Sequence, residues 1–319
     1  MIVRYLEYLV ALAREQHFSR AAAACSVTQP TLSAGIKQLE ESLGVLIVER
    51  RQRFVGLTVE GERVLAWAQR TLADYSRLEQ ELGELGDGLQ GKIRLGAIPV
   101  TLPVIALLTA PFAAKHPKIR FEIVSLTSIE IQRGLDDFTL DAAVTYLDNE
   151  PLSQVQTHPL YRERYVLISG MREDLAGRQS LTWAEAASLP LCLLTRNMQN
   201  RRIIDMHLHE AGVAAQPIIE TNSLITLWGH IRYSGQASIV PHTFALLLER
   251  LDDLALLPLV EPTATHLVGV VAADRDPLPP LTRALIAVAQ SLDLPAAIES
   301  RIARRAGECP TLNAVVASD

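Results

Sequence analysis

The run Ser19-Arg20-Ala21-Ala22-Ala23-Ala24-Cys25-Ser26-Val27-Thr28-Gln29-Pro30-Thr31-Leu32-Ser33-Ala34-Gly35-Ile36-Lys37-Gln38-Leu39-Glu40-Glu41-Ser42-Leu43-Gly44 decides how the N-terminal part of this chain folds. The alanines predict a short helix with Ser19 as its N-cap, whose small side chains let a second helix approach closely. Val27 and Thr28 form a turn, after which Thr28 caps a further helix carrying Pro30 in its first turn, where a missing N–H does no harm. Leu32, Ile36, Leu39 and Leu43 repeat on one buried face, while Gln29, Ser33 and Lys37 form a separate polar stripe. Gly44 ends the helix. Apolar residues hold such a helix down while it presents amides that read adenine edges, hydroxyls that touch bases or phosphates, and a lysine that neutralises phosphate. Thr28, Gln29, Pro30, Thr31, Ser33 and Lys37 are therefore candidate DNA contacts; the alternative is an ordinary solvated helix face.

Upstream, Leu6, Leu9, Val10 and Ala13 have the spacing of another amphipathic helix. Downstream, residues 45–48 read as a short strand that leads through Arg50, Arg51 and Arg53 and returns through Phe54, Val55 and Leu57. This hairpin with a basic tip suits a wing that contacts phosphates or enters the minor groove, although charges on a hairpin edge also serve solubility. The net charge of −6 excludes coating of nucleic acid by charge alone, yet residues 1–57 are slightly basic.

Ala21-Ala22, Thr28-Gln29-Pro30-Thr31-Leu32-Ser33, Ile36, Leu39-Glu40, Leu43-Gly44, Arg50, Leu57-Thr58 and Gly61 match the signature of LysR-type transcriptional regulators in order and spacing. Over residues 1–65 the chain resembles that family. Two positions depart from it: Val48 stands where the family commonly has Phe, and Ala34-Gly35 stands where larger polar residues are frequent, which weakens the case for base contacts from that turn.

Thr58 and Glu60 open a helix reaching about residue 85, with Leu65, Ala68, Leu72, Tyr75, Leu78, Leu82 and Leu85 close to a heptad seam. The resemblance implies that this linker helix pairs between subunits of a homo-oligomer, a dimer or a tetramer, through Leu65, Leu72, Tyr75 and Leu82; packing on its own domain is the alternative. Gly83, Gly86, Gly88 and Gly91 then predict a hinge.

From Lys92 onward strands and helices alternate. Strands are predicted over 93–98, 120–124, 140–145, 165–169, 191–195, 217–220 and 237–240, with helices over 102–115, 129–135, 201–211 and 224–233 and one begun by the Thr182 to Glu185 capping box. The fold class is α/β with mostly parallel sheets. The resemblance adds a winged helix-turn-helix, a long linker helix and a two-lobed effector-binding domain like type 2 periplasmic binding proteins, with crossovers near Tyr161 and Thr265. The expected segments are 1–57 for DNA binding, 58–91 for the linker and 92–295 for the effector domain. Lobe I takes about 92–161 and 265–295, and lobe II about 162–264. Residues 296–319 form an extension that packs on a partner subunit or stays mobile.

In open parallel sheets ligands sit beyond the C-terminal strand ends, near helix N-termini. Pro99, Val100 and Thr101, then Thr127 and Ser128, and then Thr195, Arg196 and Asn197 occupy such positions, as do Tyr146 and Asn222. Their hydroxyls also suit plain helix caps. The resemblance carries effector contacts onto Thr101, Thr127 and Ser128, and donors at helix N-termini favour a small anion.

Hydrophobic residues at 49% against 21% charged describe a globular chain, and no apolar run approaches the roughly 20 residues of a membrane span. With no secretory leader, the cytoplasm is the expected location. Cys25, Cys192 and Cys309 lack paired spacing, so neither a metal site nor a disulfide is expected, and Cys192 reads as a core residue. His207 and His209, two apart on a helix, read as surface residues. No G-x-S-x-G, P-loop or H-E-x-x-H motif suggests an enzyme. The expected partners are double-stranded operator DNA, a small anionic effector and, for an activator, RNA polymerase, with no cofactor and no membrane.

Overall fold

The structure is a computed structural model that describes residues 2–50, 54–86, 88–248 and 254–306. It divides into two compact units, one running to Gln90 together with Asp136–Thr139, the other comprising the remainder.

In the first unit, helices α1 (Ile2–Glu15), α2 (Phe18–Ala24) and α3 (Gln29–Leu43) enclose a core of Tyr8, Leu9, Leu12, Ala21, Ala22, Leu32, Ile36 and Leu39. Thr28 caps α3 in extended conformation, and Gly44 closes it at φ 69°, a left-handed setting that favours glycine. The cap of α2 differs from the sequence reading: His17 accepts from the Ser19 N–H through its ring nitrogen, while the Ser19 hydroxyl donates to Gln29. Strand β1 (Val48–Arg50) pairs antiparallel with β2 (Phe54–Leu57). It starts later than expected because the Ile47 and Val48 N–H groups donate to the Glu40 carboxylate, at 2.9 and 3.1 Å. Helix α4 (Val59–Gly86) follows, and the close approach of its first turn to the hairpin requires Gly61: an added Cβ would lie 2.1 Å from the Ile47 carbonyl oxygen.

The second unit begins with parallel strands β3 (Gly91–Ala97), β4 (Ile119–Ser125) and β5 (Ala142–Tyr146), joined by α5 (Leu102–Lys115) and α6 (Ser128–Asp136). Strand β6 (Val155–Gly170) leaves this lobe. Next come β7 (Leu181–Thr182), α7 (Trp183–Ala187), β8 (Cys192–Leu194), α8 (Gln199–Glu210), β9 (Ile219–Thr221), α9 (Leu224–Tyr233), β10 (Ser238–Pro241), a 3-10 turn over His242–Leu247 and β11 (Leu254–Val260). Strand β12 (Thr265–Ala273) returns to the first lobe, before α10 (Pro280–Ser291) and α11 (Leu294–Ala306).

Strands β6 and β12 make the two-lobed shape. The first part of β6 pairs with β12, whereas residues 165–170 pair with β10 and β11, so one long strand serves both lobes. The parallel reading therefore holds for β3, β4 and β5 and for β8 with β9, while the strands joining the lobes are antiparallel. Of β6, only residues 165–169 are legible as a strand in the sequence.

The expected extension from residue 296 is, as far as Ala306, a helix of this unit. Leu294, Ile298 and Ile302 are buried, and Glu299 pairs with Arg164 at 2.6 Å. Residues 307–319 lie outside the described residues. Among the described residues no single helix is long and apolar enough to cross a membrane.

Replacing Glu40 with Ala leaves two buried N–H groups without their acceptor. We expect a loss of about 2 to 4 kcal/mol in stability, with Glu40→Gln losing less, read by denaturant unfolding of the DNA-binding unit; equal stability of Glu40→Ala and wild type would contradict this role.

Candidate functional site

Two surfaces gather polar side chains, one on α3 and one around the start of α8. On α3, Gln29, Pro30, Thr31 and Lys37 are exposed and Ser33 is half-buried, forming an outward polar stripe over the buried Leu32, Ile36 and Leu39. Thr28 is the cap itself: its oxygen accepts from the Thr31 N–H and lies 2.8 Å from the Thr31 hydroxyl. Lys37 pairs with Glu41 at 3.5 Å on the surface, a contact that phosphate readily replaces. Gly35 has a packing role, since an added Cβ would meet the Tyr8 ring at 2.6 Å, while Ala34 is exposed. Arg50 lies in β1; its side chain, and all of Arg51 and Arg53, fall outside the described residues.

The second surface lies between the lobes of the C-terminal unit, where α8 meets β5, the segment after β5 and the start of α6. Ser128, at the start of α6, accepts from the Arg202 guanidinium at 3.2 Å. Arg202 also makes a two-oxygen pair with Glu150, with Nε to Oε1 at 2.6 Å, and donates to the Asn197 and Arg196 carbonyls at 2.8 and 3.3 Å. The Arg202 hydrogen bonds hold the Glu150 carboxyl below the usual range. Gln199 accepts from Thr145 at 3.2 Å and donates to the Asn149 carbonyl, so the first turn of α8 reaches the other lobe through both Gln199 and Arg202.

Other anticipated residues lie elsewhere. Thr101 is fully buried, and its hydroxyl donates to the Ile98 carbonyl at 2.9 Å. Pro99 and Val100 are buried beside it. Thr127 donates its N–H and hydroxyl to Glu130, each at 2.8 Å, in a helix-capping arrangement whose hydrogen bonds lower the Glu130 carboxyl. Arg196, Asn197 and Asn222 are exposed, and the Thr195 hydroxyl oxygen is buried with no hydrogen-bond partner among the described residues.

Tyr146 belongs to a buried network behind the cleft. It donates to Glu163 at 2.6 Å; Tyr161 and Thr243 donate to the other Glu163 oxygen at 3.0 and 3.3 Å. Asn200 donates to the Tyr146 and Tyr165 hydroxyls at 3.1 and 3.3 Å. Burial pushes the Glu163 carboxyl up to about 7, although all three hydroxyl donors pull it down. Burial also raises Tyr146, Tyr161 and Tyr165 well above the ordinary phenol value.

Sequence reasoning missed Glu150, Glu163, Gln199, Asn200 and Arg202. A signal was present in Arg201-Arg202, two cations in the first turn of a helix where the dipole disfavours them. Arg201 is fully buried and paired with Asp205 and Glu220. His207 corrects the surface reading of the two histidines: it is buried on the face with Ile203, Ile204 and Leu208, while His209 is exposed.

Comparison with known proteins adds independent findings. Residues 3–62 match the model for the bacterial regulatory helix-turn-helix protein of the lysR family, and residues 86–293 match the LysR substrate binding domain. The DNA-binding transcriptional dual regulator OxyR of Escherichia coli K12 is 28% identical over 87% of this chain and 91% of its own. A probable hydrogen peroxide-inducible genes activator of Streptomyces viridosporus is 31% identical over 75% of this chain and 77% of its own. A full-length OxyR variant from Pseudomonas aeruginosa superposes with a TM-score of 0.71 at 27% identity, covering 92% of this chain and 97% of that one. CbnR, solved with its target DNA, shares the fold at 20% identity, with a TM-score of 0.64 over 91% of this chain and 99% of that one.

Gln29→Ala and Ser33→Ala should each weaken specific operator binding by about 1 to 3 kcal/mol while the fold stays intact. Fluorescence anisotropy at fixed salt provides the measurement, and unchanged affinity in both variants would remove this stripe from the interface.

Proposed function

The chain belongs to the LysR family of bacterial transcriptional regulators, and we propose that its effector is a compact anion that takes Arg202 from Glu150 between the two lobes. As a member of that family it binds operator DNA through its winged helix-turn-helix and responds to a small molecule through its C-terminal domain.

The observation that carries the proposal is the set of partners of Arg202. A planar guanidinium held against two carboxylate oxygens is also a fitted receptor for a ligand carboxylate or phosphate. The pair is partly exposed, 31% for Arg202 and 43% for Glu150, so its net worth is about 1 kcal/mol or less and exchange for a ligand is inexpensive. Ser128, already bonded to Arg202, stands ready as a neutral contact. Thr101 and Thr127 are assigned supporting roles, because their hydroxyl hydrogens are committed to Ile98 and Glu130.

The exposed face of α4, with Tyr75, Leu78 and Leu82 about half uncovered, supports pairing of this helix with a second copy. Effector exchange then alters how the paired DNA-binding units sit on their operator. RNA polymerase is a further partner where the outcome is activation.

The peroxide response named for several relatives finds no support in the described cysteines. Thiolate is the reactive form, and burial raises both Cys25, half-buried after α2, and Cys192, buried in β8, above the ordinary thiol value. Cys309 lies outside the described residues.

Calorimetry with a panel of small carboxylates and phosphates tests the reading. Arg202→Gln should bind the best anion about tenfold or more weakly, and Glu150→Gln more tightly than wild type, with effector-free operator affinity near normal in both. Peroxide treatment of the wild type should leave operator affinity unchanged. Equal dissociation constants for both variants and wild type, or tight binding of an uncharged ligand instead, would refute the proposal.

A further inference from the structure

His207 in α8 and His266 at the start of β12 face each other with their Nε2 atoms 2.9 Å apart. A carboxylate stands behind each ring. Asp148 Oδ1 lies 3.2 Å from His266 Nδ1, and Glu210 Oε2 lies 2.8 Å from His207 Nδ1. The other Asp148 oxygen accepts from the Leu267 N–H at 2.7 Å, which fixes that end of the row to β12.

Counting hydrogens shows what this row requires. Ionised carboxylates only accept, so the contacts from Asp148 to His266, from His266 to His207 and from His207 to Glu210 need three hydrogens on four ring nitrogens. Two neutral imidazoles carry two. With only those two, one of the three contacts would bring lone pairs together at hydrogen-bonding distance; with one proton more, every contact is satisfied and the pair bears a single positive charge between two carboxylates.

We infer that the His207–His266 pair is a one-proton fastener: when it holds the extra proton it ties α8 to β12 and to the end of β5, and when the proton leaves, one link of the row opens. The rings have little room to find other partners. Both are more than nine-tenths buried, with the His207 ring 5.1 Å from Trp183, the His266 ring 6.0 Å from Tyr146, and Tyr165 within 6.3 Å of each. The titratable groups facing the pair are Asp148 beyond β5, Tyr146 in β5, Tyr165 in β6, with Glu163 behind the two tyrosines, and Glu210 on α8 itself; Trp183 from α7 does not titrate. Because only the form with three imidazole hydrogens satisfies all three contacts, the fastener is closed while the pair holds its extra proton and opens as pH rises and that proton leaves; burial opposes the added charge at His266, and the Asp148 carboxylate favours it. The other end of the same 12-residue helix carries Gln199, Asn200 and Arg202. Proton occupancy at one end therefore bears on the stability of interlobe contacts at the other, independently of which effector the cleft takes.

Imidazole-nitrogen NMR on the full-length protein, with a chelator present, reads the pair directly, and amide hydrogen exchange, corrected for intrinsic rate, reads α8. Between about pH 5 and pH 8 the two rings should show one shared transition releasing one proton, and protection in the last turns of α8 should fall several-fold on the alkaline side. Glu210→Gln is the decisive variant, because its amide N–H can donate to a bare Nδ1 and complete the row with only two imidazole hydrogens. Glu210 is half exposed, so the fold tolerates the change. In that variant the shared transition should move down by about one pH unit or more, and protection of α8 should become flat across the range. Two rings that titrate separately, a Glu210→Gln curve superimposable on wild type, or wild-type protection that does not vary with pH would each overturn the inference.

Discussion

A carboxylate taken out of water must be surrounded by donors, and Glu163 imposes that condition where the two lobes are joined. It is fully buried on β6, the strand that serves both lobes, and it draws hydroxyl groups from β5, from β6 itself and from the 3-10 turn after β10. Losing the Tyr146 hydroxyl, or both donors to the other oxygen, would leave an acceptor unpaired in a low-dielectric interior, a cost of about 1 to 3 kcal/mol. The network therefore fixes how these elements meet. In the DNA-binding unit Glu40 does the same on a smaller scale, holding the start of the wing hairpin to the recognition helix through two backbone N–H groups. In both units an acid at an otherwise apolar junction specifies geometry that hydrophobic contact alone would leave loose.

In the proposed exchange, helix α8 is where that fixed junction responds. Its neighbouring arginines show the difference between structure and function in physical terms. Arg201 has no exposed surface, and its ion pairs with Asp205 and Glu220 together with its hydrogen bond to the Leu194 carbonyl hold α8, β9 and β8 together, so removing one partner would strand a buried charge. Arg202 keeps contact with solvent, its pair with Glu150 is weak in net terms, and exchanging one carboxylate for another costs little. A ligand can act only through differential affinity for two arrangements. In that proposed exchange, the interlobe hydrogen bonds of Gln199 and Arg202 define one arrangement, and breaking the Glu150 pair begins the other.

The winged helix-turn-helix was legible in the sequence because its signals are local. Thr28, Pro30, Gly44 and the Leu32, Ile36 and Leu39 stripe are caps and periodicities, each set by neighbours a few residues away, and α3 occupies the expected span, although Leu43, expected on the buried face, is exposed in its last turn. The cap of α2 was misread because a histidine ring took the place of a serine hydroxyl. In the effector domain the alternation of strands and helices was visible, but the long reach of β6 was not, since its first part pairs with β12 more than 100 residues away in sequence and carries no clean period. The cleft was half legible. Ser128 follows from its place at a strand end, whereas Glu150, Gln199 and Arg202 act through contacts across some 50 to 75 positions that no local pattern encodes. His207 went unseen as a buried residue although it shares the face of Ile203, Ile204 and Leu208, because a histidine on such a face reads as surface until a partner is found.

The central claim, that two winged units of a paired regulator read DNA under control of the C-terminal domain, is tested most directly by selecting binding sites from a random DNA pool with the full-length protein and footprinting the product. The account predicts a dyad-symmetric site whose half-sites are separated by whole helical turns, about 10 base pairs or a multiple, and protection that changes in extent when the cleft-binding anion is added. Recovery of sequences without symmetry or preference, or a footprint that no cleft ligand alters, would contradict it.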